Sequence, residues 1–113
     1  MQRVLKDSRF LEGLSLFRSG KYFEAHEEWE DLWRDMANDD PLRDFVRGMI
    51  MLAAAYHKLL FHGNIKGALG LFRKAFERLE GYSITDEAVK VLVDFSRGFE
   101  KALEQSRYFP KQS

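Results

Sequence analysis

An all-α fold is predicted, a compact single-domain bundle of about five helices spanning residues 1–113, with two hairpins around a buried central helix. Three observations predict it. Apolar residues recur close to every 3.6 positions rather than every second one. Proline is confined to Pro41 and Pro110, leaving long stretches free of helix breakers. Of the 113 residues, 45% are hydrophobic and 14% aromatic, which suits one modest core and argues against disorder.

The elements follow in order. A first helix is expected from about Val4 to Arg18, with Leu5, Phe10, Leu11, Leu14 and Phe17 as its stripe. Ser19-Gly20 ends it, Gly20 being suited to a left-handed C-terminal position. A second runs from about Tyr22 to Met36, followed by the loop Ala37-Asn38-Asp39-Asp40. Asp40 then caps a third helix, with Pro41 at its first position. The third helix reaches about Phe61 and is apolar almost all round, as befits a helix enclosed by others. Gly48 and Ala53-Ala54-Ala55 let its neighbours approach. His62-Gly63-Asn64 breaks the chain before a fourth helix from about Ile65 to Glu80, which Gly81 stops. Ser83 or Thr85 caps a fifth, which closes the core and reaches about Arg107; the tail from Tyr108 to Ser113 is expected to fray.

An internal repeat supports the hairpins. Gly20-Lys-Tyr-Phe-Glu-Ala25 and Gly63-Asn-Ile-Lys-Gly-Ala68 share G-x-x-x-x-A, 43 residues apart. At that offset Trp29 aligns with Phe72 and Trp33 with Phe76. A small residue after the turn, letting two helices pack closely, is the grammar of tetratricopeptide-like hairpins. Two copies are too few for a solenoid.

Charge excludes some functions. Formal net charge is zero, from 18 basic and 18 acidic residues, so the strongly basic footprint of a nucleic-acid binder is missing. The zero is a cancellation. Glu24 to Asp44 holds nine acids and two bases, and Lys58 to Arg78 holds five bases and one acid. These segments pair, solvate two faces, or form a dipolar docking surface. The basic residues Lys66, Arg73, Lys74 and Arg78 on the fourth helix leave weak nucleic-acid binding as one alternative, though nucleic acid is not the expected partner. With no Cys there is no disulfide, thiol nucleophile or Cys-based metal site. No apolar segment follows the charged N-terminus, so a cytoplasmic location is expected. The run Gly48–Tyr56 is too short to span a membrane, which needs roughly 20 apolar residues.

The chemistry, if any, concentrates in Gly20 to Trp33, GKYFEAHEEWEDLW. At about 100° per residue, Tyr22, Ala25, Trp29, Leu32, Trp33 and Met36 share one face. Phe23 widens that buried arc. His26 and Glu30, an i, i+4 pair, border an aromatic wall of Tyr22, Trp29 and Trp33, so Glu30 can set the protonation of a partly desolvated imidazole. On the third helix Arg47 and His57 stand out among apolar residues, and Tyr56 adds a hydroxyl. Arg47 is a natural partner for Glu27 or Glu30.

Three readings stay open. One is a metal site on His26 and Glu30 with His57 or Glu27; H-E-x-W-E lacks the second His of H-E-x-x-H, and no E-x-x-H occurs. Another is a hydrolase-type enzyme with His26 as general base oriented by Glu30, although neither G-x-S-x-G nor a phosphate-cradling glycine loop is present. The third is a structural network of His26, Glu27, Glu30, Arg47 and His57 fixing helix register. His62 carries nothing beyond turn chemistry.

The run GKYFEAHEEWEDLW, with FVRGMIMLAAAYHKL and GNIKGALGLFRKAFERL after it, resembles the domain-of-unknown-function family numbered 309. These are small all-helical bacterial and archaeal proteins with the signature G-x-[YF]-x-E-A-H-E-x-W-E-x-x-W. The matching residues are Gly20, Tyr22, Glu24, Ala25, His26, Glu27, Trp29, Glu30 and Trp33. In the second block Met51 replaces the usual Gln. The resemblance covers about residues 10 to 80. It implies an all-α fold, implies that His26, Glu27, Glu30 and the two tryptophans matter as a unit, and implies no activity. The leading expectation is therefore a non-catalytic binding or interaction module, with no cofactor, acting as a homo-oligomer or with a protein partner.

Overall fold

The computed structural model describes residues 1–108. The part of the tail beyond, expected to fray, lies outside them. All regular structure among the described residues is helical: α1 (Gln2–Leu5), α2 (Ser8–Arg18), α3 (Tyr22–Asp35), α4 (Arg43–His62), α5 (Ile65–Leu79) and α6 (Glu87–Tyr108). No helix among them is long and apolar enough to cross a membrane. The chain divides into two units, Met1–Tyr82 and Ser83–Ser113.

Six helices replace the expected five because the first one divides. Asp7 adopts extended backbone and its carboxylate accepts from the Arg9 N–H at 2.8 Å. That satisfies an orphan donor at a helix start, so Asp7 opens a new helix rather than continuing the old one. The start of α4 differs for a related reason. Asp40 accepts from the Leu42 N–H at 2.9 Å, and the Arg43 N–H donates to the Asp40 carbonyl at 3.0 Å. Residues 40–43 thus form a turn, and Pro41 precedes the helix instead of occupying its first position.

In the first unit α2 packs on α3, α3 on α4, and α4 on α5. The central helix α4 carries the longest buried run, including Phe45, Val46, Met49, Ile50, Leu52, Ala53 and Tyr56. The repeat has a structural basis. Gly20 and Gly63 both take positive φ, 79° and 61°, and each ends the first helix of a hairpin. Ala25 and Ala68, just inside the second helices, are fully buried, as are Trp29 and Phe72.

Two other glycines set helix spacing. A Cβ on Gly48 would lie 2.8 Å from Leu79 Cγ and 3.3 Å from the Ala75 carbonyl oxygen, so α4 and α5 meet closely there. A Cβ on Gly13 would lie 2.1 Å from Trp29 Nε1. That indole N–H donates to the Phe10 carbonyl at 3.1 Å, and the ring packs against Phe10 and Phe17 with centroids 5.7 and 5.9 Å away. Leu11, expected on the buried stripe of α2, is instead 50% exposed.

In the second unit, Asp86 rather than Ser83 or Thr85 caps α6, accepting from the Val89 N–H at 3.0 Å. Val89, Val93 and Ser96 are buried, and the Ser96 hydroxyl donates to the Leu92 carbonyl at 2.8 Å.

Candidate functional site

A polar ridge runs along α3. His26 Nε2 lies 3.0 Å from Glu30 Oε1, and Arg34 donates to Glu30 Oε2 at 2.9 Å. The spacing i, i+4, i+8 places the three side chains on one face. Burial holds the His26 imidazole below its usual pKa, against the opposing pull of Glu30. A carboxylate only accepts, so the neutral ring carries its hydrogen on Nε2 and keeps a lone pair on Nδ1. That Nδ1 is buried with no hydrogen-bond partner.

The other side of this imidazole faces a pocket of about 330 Å³ lined by Phe23, His26, Ala54, His57, Lys58, His62 and Leu71. The chain has three histidines, and all of them line it. His57 is the hub: its ring lies 5.4 Å from Phe23, 5.0 Å from Phe61 and 5.1 Å from His62. Its Nδ1 is also buried without a partner. The sequence reading assigned His62 only turn chemistry, yet α4 stays helical through it and brings it edge-on to His57. The spacing of His57, Phe61 and His62, which lies within about one and a half turns, was the available signal. Phe23, expected to be buried, is 48% exposed and stands at the pocket.

The remaining expected site residues separate. Glu27 is exposed and acts on His26 only through its charge. Tyr56 belongs to the core aromatic stack, with its ring 5.1 Å from those of Tyr22 and Phe72 and 5.3 Å from Phe17. The aromatic wall therefore divides: Tyr22 stacks on Tyr56, Trp29 fills the core between Phe10 and Phe17, and Trp33 faces a different cavity. Arg47 pairs with neither Glu27 nor Glu30. Both Glu30 oxygens are already engaged, and the Arg47 guanidinium lies instead over Trp33, 5.1 Å from the ring centroid.

That second cavity, a cleft of about 500 Å³, is lined by residues of α3, the following loop, α4, α5 and Tyr82. Arg43 and Arg47 both stand over the Trp33 ring, and Arg78 is joined to Asp44 at 2.6 Å.

Among the described residues no group of three or more His, Cys, Asp or Glu is placed to hold a metal ion. His26, Glu30 and His57 therefore do not assemble as a ligand set. Glu30 is turned to an imidazole N–H and a guanidinium. The pairing is a hydrogen-bonded ridge whose imidazole also borders a cavity.

The model of the family described as "Domain of unknown function (DUF309)" matches residues 10–71, which include the α3 ridge, all of α4 and the pocket lining. No curated protein and no solved structure matches the chain significantly.

Proposed function

The chain belongs to the DUF309 family, and we propose that it is a non-catalytic binding module holding a small apolar acid in the pocket between α3, α4 and α5. One observation carries this reading: a pocket lined by Phe23, Ala54, Leu71, three histidines and Lys58, with no carboxylate in its lining. Phe23, Ala54 and Leu71 offer surface to an apolar body. Lys58 offers the charge that a carboxylate needs in a poorly hydrated site. The stem of Lys58 is accommodated by Gly67, where a Cβ would lie 2.9 Å from Lys58 Cδ. The volume lies at the small end of the ~300–1,000 Å³ range of ligand sites, which favours a compact ligand over a dinucleotide. Glu30, shared between His26 and Arg34, orients the imidazole and is not free to act as a base.

The oligomeric or protein-bound form expected from the sequence extends this proposal. Leu60, Phe61 and Ile65 are 58%, 65% and 41% exposed at the end of α4 and the start of α5. A strictly monomeric protein in sedimentation equilibrium at high concentration would count against that extension alone.

Phenylacetate and octanoate, titrated at millimolar concentration, test the pocket. The Hε1 resonances of the three histidines report it directly. Saturable shifts at His26 and His57 are expected. Ala54→Leu, which fills the pocket, should abolish them while leaving the helical circular dichroism intact. Lys58→Gln should weaken the acids about tenfold and leave the matching alcohols unchanged, as loss of ~1.4 kcal/mol of charge pairing implies. Binding unchanged in Ala54→Leu, or none in the wild type, overturns the proposal.

A further inference from the structure

We infer that the cleft lined by Trp33, Asn38, Arg43, Arg47, Arg78 and Tyr82 is a binding site for the phosphoryl group of a small polar phosphomonoester, with Arg47 as its principal cation. This inference is independent of the imidazole pocket and stands or falls separately.

Of the three carboxylates that line the cleft, two already have their own arginine: Asp40 is joined to Arg3 at 2.9 Å and Asp44 to Arg78 at 2.6 Å, while the third, Asp39, is exposed on the loop. Arg43 is pinned in place, its NH1 donating to the Trp33 and Met36 carbonyls, both at 2.8 Å, at the C-terminal end of α3. That use leaves the rest of its guanidinium fork uncommitted. Arg47 is half-buried and forms no ion pair among the described residues. Its guanidinium and that of Arg43 lie over the same indole, 5.1 and 3.8 Å from the ring centroid. Stacking on an aromatic face fixes the plane of a guanidinium and leaves its edge donors free. Two guanidiniums at one ring, neither in an ion pair among the described residues, give the cleft a local charge of the right sign for an oxyanion. A tetrahedral oxyanion offers enough acceptors to take edge donors from both forks at once.

The lining beyond the arginines indicates what the phosphoryl group is attached to. Asn38 and Asp39 lie on the exposed loop at the rim, and the Tyr82 hydroxyl donates to the Pro41 carbonyl at 2.6 Å, holding that loop in place. A rim of amide and carboxylate suits a body that bears hydroxyl groups. A cleft of about 500 Å³ has room for more than a bare anion.

The two tryptophans make the test simple. Trp29 is fully buried in the core, whereas Trp33 lines the cleft. Inorganic phosphate and ribose 5-phosphate are titrated at constant ionic strength, against chloride as control, with tryptophan fluorescence and calorimetry as readouts. A saturable change is expected with both probes, and tighter binding with ribose 5-phosphate. Arg47→Gln should weaken both at least tenfold, and Arg47→Lys should retain part of the affinity. Trp33→Phe should silence the fluorescence response while calorimetric heat persists. Far-UV circular dichroism identifies any variant that fails to fold, and Arg47→Lys then carries the comparison. The proposal is overturned if the wild type binds neither probe at millimolar concentration, if Arg47→Gln binds as the wild type does, or if chloride gives the same response. Equal affinity for phosphate and ribose 5-phosphate would overturn the assignment of the ligand's body.

Discussion

Replacing Gly13 by Ala reverses an ordinary expectation. Gly13 lies in the interior of α2, where alanine normally stabilises a helix by about 1 kcal/mol over glycine. Here the new methyl would fall 2.1 Å from Trp29 Nε1, 2.5 Å from Cδ1 and 2.6 Å from Cε2. The indole has nowhere to go: it is fully buried, lies against Phe10 and Phe17, and is anchored to the Phe10 carbonyl. Forcing it aside costs about 1–3 kcal/mol in overpacking. Losing the buried indole hydrogen bond adds about 1–3 kcal/mol. After the helical gain is subtracted, Gly13→Ala should destabilise by about 1–5 kcal/mol. Gly70 in α5 supplies the control, since a Cβ there meets nothing within 4 Å; Gly70→Ala should stabilise by about 1 kcal/mol. Urea unfolding followed by tryptophan fluorescence and far-UV circular dichroism measures both. A Gly13→Ala protein as stable as the wild type would refute the packing argument, because only the indole separates the two glycines in sign.

His26 makes stability pH-dependent. Its folded pKa is depressed by burial, so below the unfolded value of about 6.5 the unfolded chain binds the extra proton and stability falls as pH falls. His26→Gln should flatten the slope of unfolding free energy between that value and the depressed one; an unchanged slope would show that the ring titrates freely. Asp7→Ala should cost about 0.5–2 kcal/mol at neutral pH through loss of the α2 cap, read from the urea midpoint. Hydrogen bonding from Arg9 holds the Asp7 carboxyl below its usual value. Its contribution is therefore present above about pH 3.8 and lost as pH falls through the depressed folded value. The mutant and wild-type curves should converge in acid.

Much of the first unit was legible from period and punctuation. Gly20, Gly63 and the alanines five residues on located both hairpins, because positive φ and close helix approach each demand a small residue. What was missed turned on competition between neighbours. Asp7 carries no mark that separates a mid-helix aspartate from a cap. Asp40 was read as a cap, but it closed a turn instead. At the site, His26 and Glu30 were paired correctly from their spacing. Arg47 was assigned to Glu27 or Glu30 because spacing on α3 and α4 says nothing about which rival cation arrives first; Arg34, on the same helix, has the shorter path to Glu30. Trp33 was grouped with Trp29 on one face, yet the chain packs one into the core and leaves the other at a cleft. The convergence of His62 with His26 and His57 is a tertiary fact that a single-helix reading does not contain.

His26 and Trp33 lie on the same helix, seven residues apart, and each borders a different cavity. At about 1.5 Å of rise per residue the two stand roughly 10 Å apart along one rigid rod. Both cavities therefore depend on a single rotational phase of α3. Inserting or deleting one residue between them would turn one side chain relative to the other by about 100°, and the pocket and the cleft could not both survive. A change of length in this stretch therefore costs at least one of the two cavities, whereas a substitution that keeps the helix can spare both.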